Sequence, residues 1–216
     1  MLELGLKTLI AYLLGSLMGA LLVGVLRGVD IRELGSGNAG GTNAWRTQGF
    51  WFAAATVAID VGKGWLAAGW LPGLGIPGID ADPAVDRGWL TAACAAAAVI
   101  GHVWPLFHEF RGGKGGATLV GALLALAPLI VAIVVAVWLV VVMLTGLAGL
   151  ATMTAAVSVP VAIWLLGRQG EPLLAFAIAM AALIVLAHRS NIGRMNAGTE
   201  PRVNRLWLLR PRKYGP

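Results

Sequence analysis

Apolar and polar positions in this chain fall into long blocks, with neither the short helical period nor the alternation of a soluble fold. Thr8 to Leu26 is apolar for 19 residues and stops at Arg27. Phe50–Leu71, Trp89–Trp104, Ala117–Leu147, a further stretch up to Gly167, and Leu173–Ala187 follow. Between them crowd Gly, Pro and charged residues. Uncharged or nearly uncharged blocks of this length predict membrane-spanning helices. Ala117–Leu147 is too long for one of them, since its 31 residues would make a helix of roughly 46 Å against about 30 Å of hydrocarbon. Pro128 divides it, because proline disfavours helix at the residue before it and brings no N–H. The expectation is a short half-span, Ala117–Ala127, and then a full span, Pro128–Leu144. Thr145-Gly146 and Gly167-Arg-Gln-Gly-Glu-Pro172 read as turns, and Pro160 lies inside the span between them.

Counting the short piece gives seven crossings. The tail carries Arg189, Arg194, Arg202, Arg205, Arg210, Arg212 and Lys213, and such basic density stays on the cytoplasmic side. The predicted fold is therefore an all-α integral membrane protein with seven transmembrane helices, one short or broken near Pro128, its N-terminus outside and its C-terminus cytoplasmic. Residues 1–216 read as a single polytopic membrane domain. Three segments gather on its cytoplasmic face: 30–46, 105–118 and 188–201. Thr8–Leu26 is long for a signal-peptide core, and its arginine follows the apolar run, so it reads as an uncleaved first span. Gly15-Ser16 and Gly19 give that span a small-residue face for close packing. The loop Pro72–Gly88, with Asp80, Asp82 and Asp86, reads as solvated and outer.

Composition agrees: 58% of residues are hydrophobic, 12% are charged, and the net charge is +6. A basic balance on so few charges suits a face near anionic lipid or an anionic substrate. Nucleic acid is not indicated, because no basic stripe is interleaved with stacking aromatics. The single Cys94 leaves no disulfide and no cysteine-based metal site, and its alanine-rich surroundings read as inert packing.

Candidate chemistry sits in the polar segments. In Phe107-His-Glu-Phe-Arg-Gly-Gly-Lys-Gly-Gly-Ala-Thr118 four glycines surround Lys114. Gly112, Gly113, Gly115 and Gly116 can take φ > 0 and expose N–H groups as an anion-sized nest, and a helix opened by Ala117 and Thr118 would aim its positive end there. A Gly-rich interfacial turn is the alternative. The stretch is no Walker A loop, because His108 and Gly115 stand where that motif needs Gly and Ser/Thr. The earlier segment holds Gly35-x-Gly37-x-x-Gly40, the spacing of a dinucleotide fingerprint, but a membrane span precedes it where a strand is required. What remains is a turn carrying Ser36, Asn38, Thr42, Asn43 and Arg46, side chains suited to hydroxyl and phosphate recognition. Leu34 occupies the first glycine position of a nucleophile elbow, so Ser36 is not read as a nucleophile. Asp60 and Lys63, three apart inside a span, face one side and can neutralise each other. They are either a structural ion pair or a functional one. His102 ends a span and reads as packed or hydrogen-bonded. His188 also ends one, either as a cap or as a site residue with Asn191 on the same face.

These stretches together carry a resemblance. Gly35-Ser-Gly-Asn-x-Gly-x-Thr-Asn43 with Arg46, Asp60-x-x-Lys-Gly64, Gly101-His-x-x-Pro105 with Gly112-Gly-Lys-Gly115, and His188-x-x-Asn191 with Gly198-Thr-Glu200 resemble the bacterial acylphosphate:glycerol-3-phosphate acyltransferase family, PlsY. Gly41 and Gly116 are departures where bulkier residues are expected. The resemblance implies an enzyme of the bacterial inner membrane, seven-spanning, with its site facing the cytoplasm. It would move a fatty acyl group from acyl phosphate to glycerol 3-phosphate, giving lysophosphatidic acid and phosphate in phospholipid synthesis, with a separate enzyme forming the acyl phosphate. No metal or other cofactor is implied, since acyl phosphate is already activated. By the same resemblance Ser36, Arg46, Lys114, His188 and Asn191 are catalytic. Asn38, Thr42, Asn43, Gly112, Gly113 and Gly115 would bind substrate phosphate, with Asp60, Lys63, His102 and Glu200 in support. A transporter or flippase for a phosphorylated metabolite is the competing reading, drawn from the deep Asp60–Lys63 pair and the break at Pro128. The His-x-x-x-x-Asp signature of thioester-using acyltransferases is absent.

Overall fold

The computed structural model of the protein describes residues 1–167 and 170–209, so Arg168, Gln169, Arg210, Arg212 and Lys213 of the predicted turn and tail lie outside the described residues. Among those described, the secondary structure is helical apart from an isolated bridge between Ile76 and Ile79. The first apolar block begins earlier than expected and is broken. Helices α1 (Leu2–Gly15) and α2 (Gly19–Arg27) meet at 41°. No proline causes the bend.

Its cause lies on α4 (Phe50–Trp65), which follows a short interfacial helix, α3 (Gly41–Gln48). The Asp60 carboxylate accepts the Gly19 amide at 3.2 Å, and Lys63 Nζ donates to the Leu17 carbonyl at 2.8 Å. Both side chains are buried, with Nζ 2.9 Å from Asp60 Oδ1. A break inside a bilayer strands backbone N–H and C=O groups that hydrocarbon cannot satisfy. Here a carboxylate meets the helix N-terminus and an ammonium the preceding C-terminal end, the signs that the helix dipole favours. The ion pair thus has a structural role in its own chain.

A π-helical turn, Leu66–Trp70, extends α4. Next come α5 (Arg87–Val103), α6 (Gly116–Leu126), α7 (Pro128–Thr145), α8 (Ala148–Leu165) and α9 (Glu171–Ala187), and then, bent by 51°, α10 (Arg189–Asn196). Three helical segments of the described residues are long and apolar enough to cross a membrane, or five if each bent pair forms one span, with α6 a shorter apolar piece. The Pro128 break falls where expected, whereas Pro160 sits within α8 without ending it.

Helices in lipid gain little from the hydrophobic effect and associate through close packing of small residues. Two reciprocal glycine contacts use this. A Cβ on Gly15 of α1 would collide with the Ala98 carbonyl of α5, and one on Gly101 with the Tyr12 carbonyl. Likewise, a Cβ on Gly64 of α4 would strike the Thr118 carbonyl of α6, and one on Gly121 the Val61 carbonyl. Around these seams Val99, Leu119, Leu123, Ile130, Val159, Ile163 and Ile184 form the main core, drawn from α5 to α9.

The polar segments collect at one end. Arg46 donates to the Pro201 carbonyl at 2.9 Å and the Val203 amide to the Gly146 carbonyl at 2.8 Å. At the opposite end Glu3 joins Lys7 and Arg87, each at 2.8 Å, and the amine of Met1 pairs with Asp82. The acidic loop there is solvated as expected at Asp80 and Asp86, both exposed, and Asp86 caps α5 through the Trp89 amide at 3.0 Å. Asp82 alone of the three is drawn into this cluster and partly buried.

Candidate active site

The Lys114 loop turns inward below the end of α5. After Val103 the chain makes a short 3₁₀ turn, Leu106–His108, and passes through Glu109 and Phe110, both at positive φ. It then returns against His102, whose carbonyl accepts the Gly113 amide at 3.0 Å. Gly112 and Gly113 are glycine because His102 is there. A Cβ on the first would collide with the His102 carbonyl, and on the second with the imidazole Nε2. This corrects the expected nest: of the loop glycines only Gly115 takes a positive φ, 82°, and the Gly113 amide is already bonded. The anion-binding equipment lies one step later. Gly115 caps α6, so the amides of Gly116, Ala117 and Thr118 are first-turn donors with no partner inside the helix.

Gly115, Gly116 and Ala117 border a cavity of about 400 Å³. One part is polar, with Asn38, Thr42, Asp60, His102, Lys114 and His188 in its wall. The other is apolar and runs past Leu119, Val134, Trp138, Leu139 and Ala155. Val57, Val135 and Leu139, each more than a third exposed, line the cavity too, so it reaches the outer surface between α4 and α7.

Lys114 Nζ donates to Asn191 Oδ1, whose Nδ2 donates to Glu200 Oε1 at 2.6 Å. Arg194 Nε donates to Glu200 Oε2 at 2.7 Å. The arrangement follows from α10: Asn191 and Arg194, three apart, fall on one face and both reach the carboxylate. Gly149 on α8 leaves room for Asn191, since a Cβ there would crowd its amide. Burial, and next the charge of Arg194, push the Lys114 ammonium down to about 8, with Glu200 pulling the other way. His188 closes α9. Its Nδ1 lies 2.7 Å from the Ile184 carbonyl, which can only accept, so in the neutral ring Nδ1 carries the proton and Nε2 is an acceptor.

The predicted residues divide accordingly. Lys114 and His188 share the cavity wall, Asn191 and Glu200 buttress Lys114, and Asn38 and Thr42 face the same space. Ser36 and Arg46 are exposed and stand outside that wall, Arg46 tied to the residue after Glu200. Asn43 is not available to a ligand. Almost fully buried, it accepts the Ser36 amide at 2.9 Å and donates to the Leu34 and Asn38 carbonyls at 2.9 and 3.1 Å, knotting the glycine-rich turn. Asp60 and Lys63 serve the broken span. Arg194, Gly149, Trp138 and Thr152 are partners that no motif marks. Trp138 donates to Thr152 Oγ1 at 3.1 Å across α7 and α8, a link legible only once the helices are packed. Among the described residues no group of three or more His, Cys, Asp or Glu side chains could hold a metal ion.

A family model described as glycerol-3-phosphate acyltransferase matches residues 6–198 of the chain. The glycerol-3-phosphate acyltransferase of Salinibacter ruber is 42% identical over 210 residues, covering 91% of this chain and 90% of that protein. This chain belongs to the glycerol-3-phosphate acyltransferase family. The corresponding protein of Thermosynechococcus vestitus is also 42% identical, covering 93% of this chain and 95% of its own. The fold is similar to that of PlsY (YgiH), an integral membrane glycerol 3-phosphate acyltransferase, whose crystal structure in the glycerol 3-phosphate form superposes with a TM-score of 0.80 at 33% identity. That match covers 92% of this chain and 94% of the other. The lysophosphatidic acid form of PlsY gives the same TM-score at 31% identity, covering 94% and 97% of the two chains. Family membership and this architecture agree with an acyltransferase and leave the carrier reading without support, the more so because Asp60 and Lys63 are engaged with helix ends.

Proposed function

We propose that this chain transfers a fatty acyl group from acyl phosphate to glycerol 3-phosphate, giving lysophosphatidic acid and inorganic phosphate. The observation that carries the reading is the two-natured cavity, in which Lys114, His188 and the start of α6 meet a wall of Val134, Trp138 and Leu139. An anionic head and an aliphatic tail fit one space only if cationic and apolar walls join there. Acyl phosphate is such a molecule. Its carbonyl is already activated, so the protein's task is to orient a hydroxyl toward it and hold the charge that leaves.

The Lys114 ammonium and the first amides of α6 hold phosphate charge. Arg46 and Ser36, at the exposed rim, meet the second phosphate or the glycerol hydroxyls. His188 Nε2 accepts a hydrogen bond from the glycerol hydroxyl next to the attacking one, which holds the attacking oxygen toward the carbonyl and leaves its proton free to reach the phosphate. The new C–O bond forms as the acyl–phosphate C–O bond breaks, and the hydroxyl proton passes to the departing phosphate. His188 has a backbone carbonyl at Nδ1 and no carboxylate to stabilise an imidazolium, which favours this substrate-assisted route over a histidine base. The purified protein should release phosphate from palmitoyl phosphate only when glycerol 3-phosphate is present; equal release in its absence would reduce the activity to hydrolysis.

The same reading sets the chain in a bacterial inner membrane with seven crossings, α1–α2, α4, α5, α6, α7, α8 and α9, its site on the cytoplasmic side. Arg189, Arg194, Arg202 and Arg205 all lie at the end that carries the site, which supports that orientation. In a Cys94→Ala background, Asn204→Cys should resist an impermeant thiol reagent in intact cells and react after lysis. Labelling from outside would reverse the topology.

A further inference from the structure

Three features adjoin one another behind the Asp60 and His102 wall of the cavity: the broken first span, the buried Asp60 itself and the doubled glycine before Lys114. His102 lies between them. It is 3% exposed and sits in the last turn of α5. Its Nδ1 is 3.4 Å from Asp60 Oδ1 without forming a hydrogen bond, and its Nε2 faces the Gly113 Cα closely enough that a methyl group there would overlap it. Its carbonyl receives the Gly113 amide and crowds Gly112. Asp60 is in turn fixed by the Gly19 amide and by Lys63, which holds the Leu17 carbonyl. The residue after Gly113 is Lys114, bonded to Asn191.

We propose that His102 is a positioning residue for the acyl-transfer reaction: it is the template against which Gly112 and Gly113 fold, and so it sets where the Lys114 ammonium and the first amides of α6 stand. Asp60 keeps the template in place. Main-chain and side-chain contacts from one residue to both glycines define the path of the loop over two consecutive positions. A displacement of about 1 Å at a group that holds a reacting phosphate is enough to cost on the order of a hundredfold in rate. Contact with His102 explains both glycines, whereas anion binding alone does not, because the Gly113 amide is not free. The inference rests on the acyltransferase reading only for its assay, since the contact itself belongs to the fold.

The test is a double-mutant cycle on the purified protein, with kcat and KM for both substrates. Gly113→Ala should lower kcat/KM at least tenfold, because the added methyl overlaps the imidazole and pushes the lysine loop away. His102→Asn, which shortens the ring and keeps the carbonyl, should be impaired less. The combination of the two should recover at least tenfold over Gly113→Ala alone, since the methyl then occupies the space that the ring has left. A combination no better than the product of the single effects would overturn the proposal, as would Gly113→Ala with unchanged kinetics. If His102→Asn yields no folded protein, the reactivity of Lys114 toward an amine reagent in Gly113→Ala decides. Increased labelling at an unchanged Tm supports displacement of the loop, and wild-type labelling contradicts it. If no activity of any kind is found for the wild type, the functional reading has failed, and the labelling arm still tests the contact.

Discussion

The two ends of this molecule each hold a carboxylate between nitrogen donors, and they are built to opposite purposes. At the end away from the cavity, Glu3 takes hydrogen bonds from Lys7, from both terminal nitrogens of Arg87 and from the Asp82 amide, and Asp82 meets the N-terminal amine. Every charge has a formal opposite beside it. At the other end Glu200 is shared by Asn191 and Arg194, and Lys114 reaches only the neutral oxygen of Asn191. Arg46 is bound to a backbone carbonyl. Among the described residues, the second cluster therefore keeps positive charge that no carboxylate pairs with directly, next to a cavity. A saturated cluster holds helices together, and an unsaturated one is prepared for an anion that arrives later.

One variant at each end separates the two clusters most strongly. Lys114→Met should reduce kcat/KM by about 10- to 150-fold, from a charge-assisted phosphate contact of about 1.5–3 kcal/mol, with Tm nearly unchanged. Glu3→Ala should do the reverse, lowering Tm by leaving Lys7 buried without a carboxylate while activity per folded molecule holds. If both variants lose activity in equal measure, the two clusters do not differ in kind.

A smaller effect sharpens the same point through pH. The Lys114 value of about 8 lies below the ordinary 10.5 because burial, and then Arg194, disfavour the charged form. Between those two values the unfolded chain binds the extra proton, so this group makes stability rise with pH. Phosphate binding by the ammonium moves the other way and fades above about pH 8, by roughly tenfold for each unit in kcat/KM of the free enzyme. A pH series with Tm recorded beside kinetics should show a falling basic limb without a matching loss of fold. That limb should vanish in Lys114→Met. A limb that persists in the variant would assign it to another group.

The segments from Phe50 onward were legible in the sequence because single residues with strong local effects punctuate them. Pro128 lacks a donor and Gly146 takes a positive φ of 73°, so α7 ends where the pattern stops. The break at Ser16–Met18 was not legible. Its cause is not in its own residues but in Asp60 and Lys63, more than forty positions along the chain. Glu3 and Lys7 sit ahead of the first apolar run, and nothing in the sequence around them marks their partners in the 72–87 loop. The site shows the same division. Lys114, His188 and Asn191 are named through the family resemblance, since on residue type alone a lysine in a glycine-rich turn and a histidine at a span end fit a structural role as well. Asn43 is ambiguous in the sequence, since an asparagine in a glycine-rich turn looks the same whether it serves a substrate or knots its own loop. Only the burial and the four bonds of its side chain separate the two.

The surplus positive charge at the cavity is most directly tested by the choice of acyl donor. Two phosphates, one on each substrate, account for cationic and amide groups beyond what glycerol 3-phosphate alone would need, and the short loops at that end offer little docking surface for a carrier-protein or coenzyme thioester. The measurement is lysophosphatidic acid formation by the purified protein from glycerol 3-phosphate with acyl phosphate, acyl-coenzyme A and acyl carrier protein in turn. Acyl phosphate should support turnover and neither thioester should. Product from a thioester at a rate matching acyl phosphate would contradict the account.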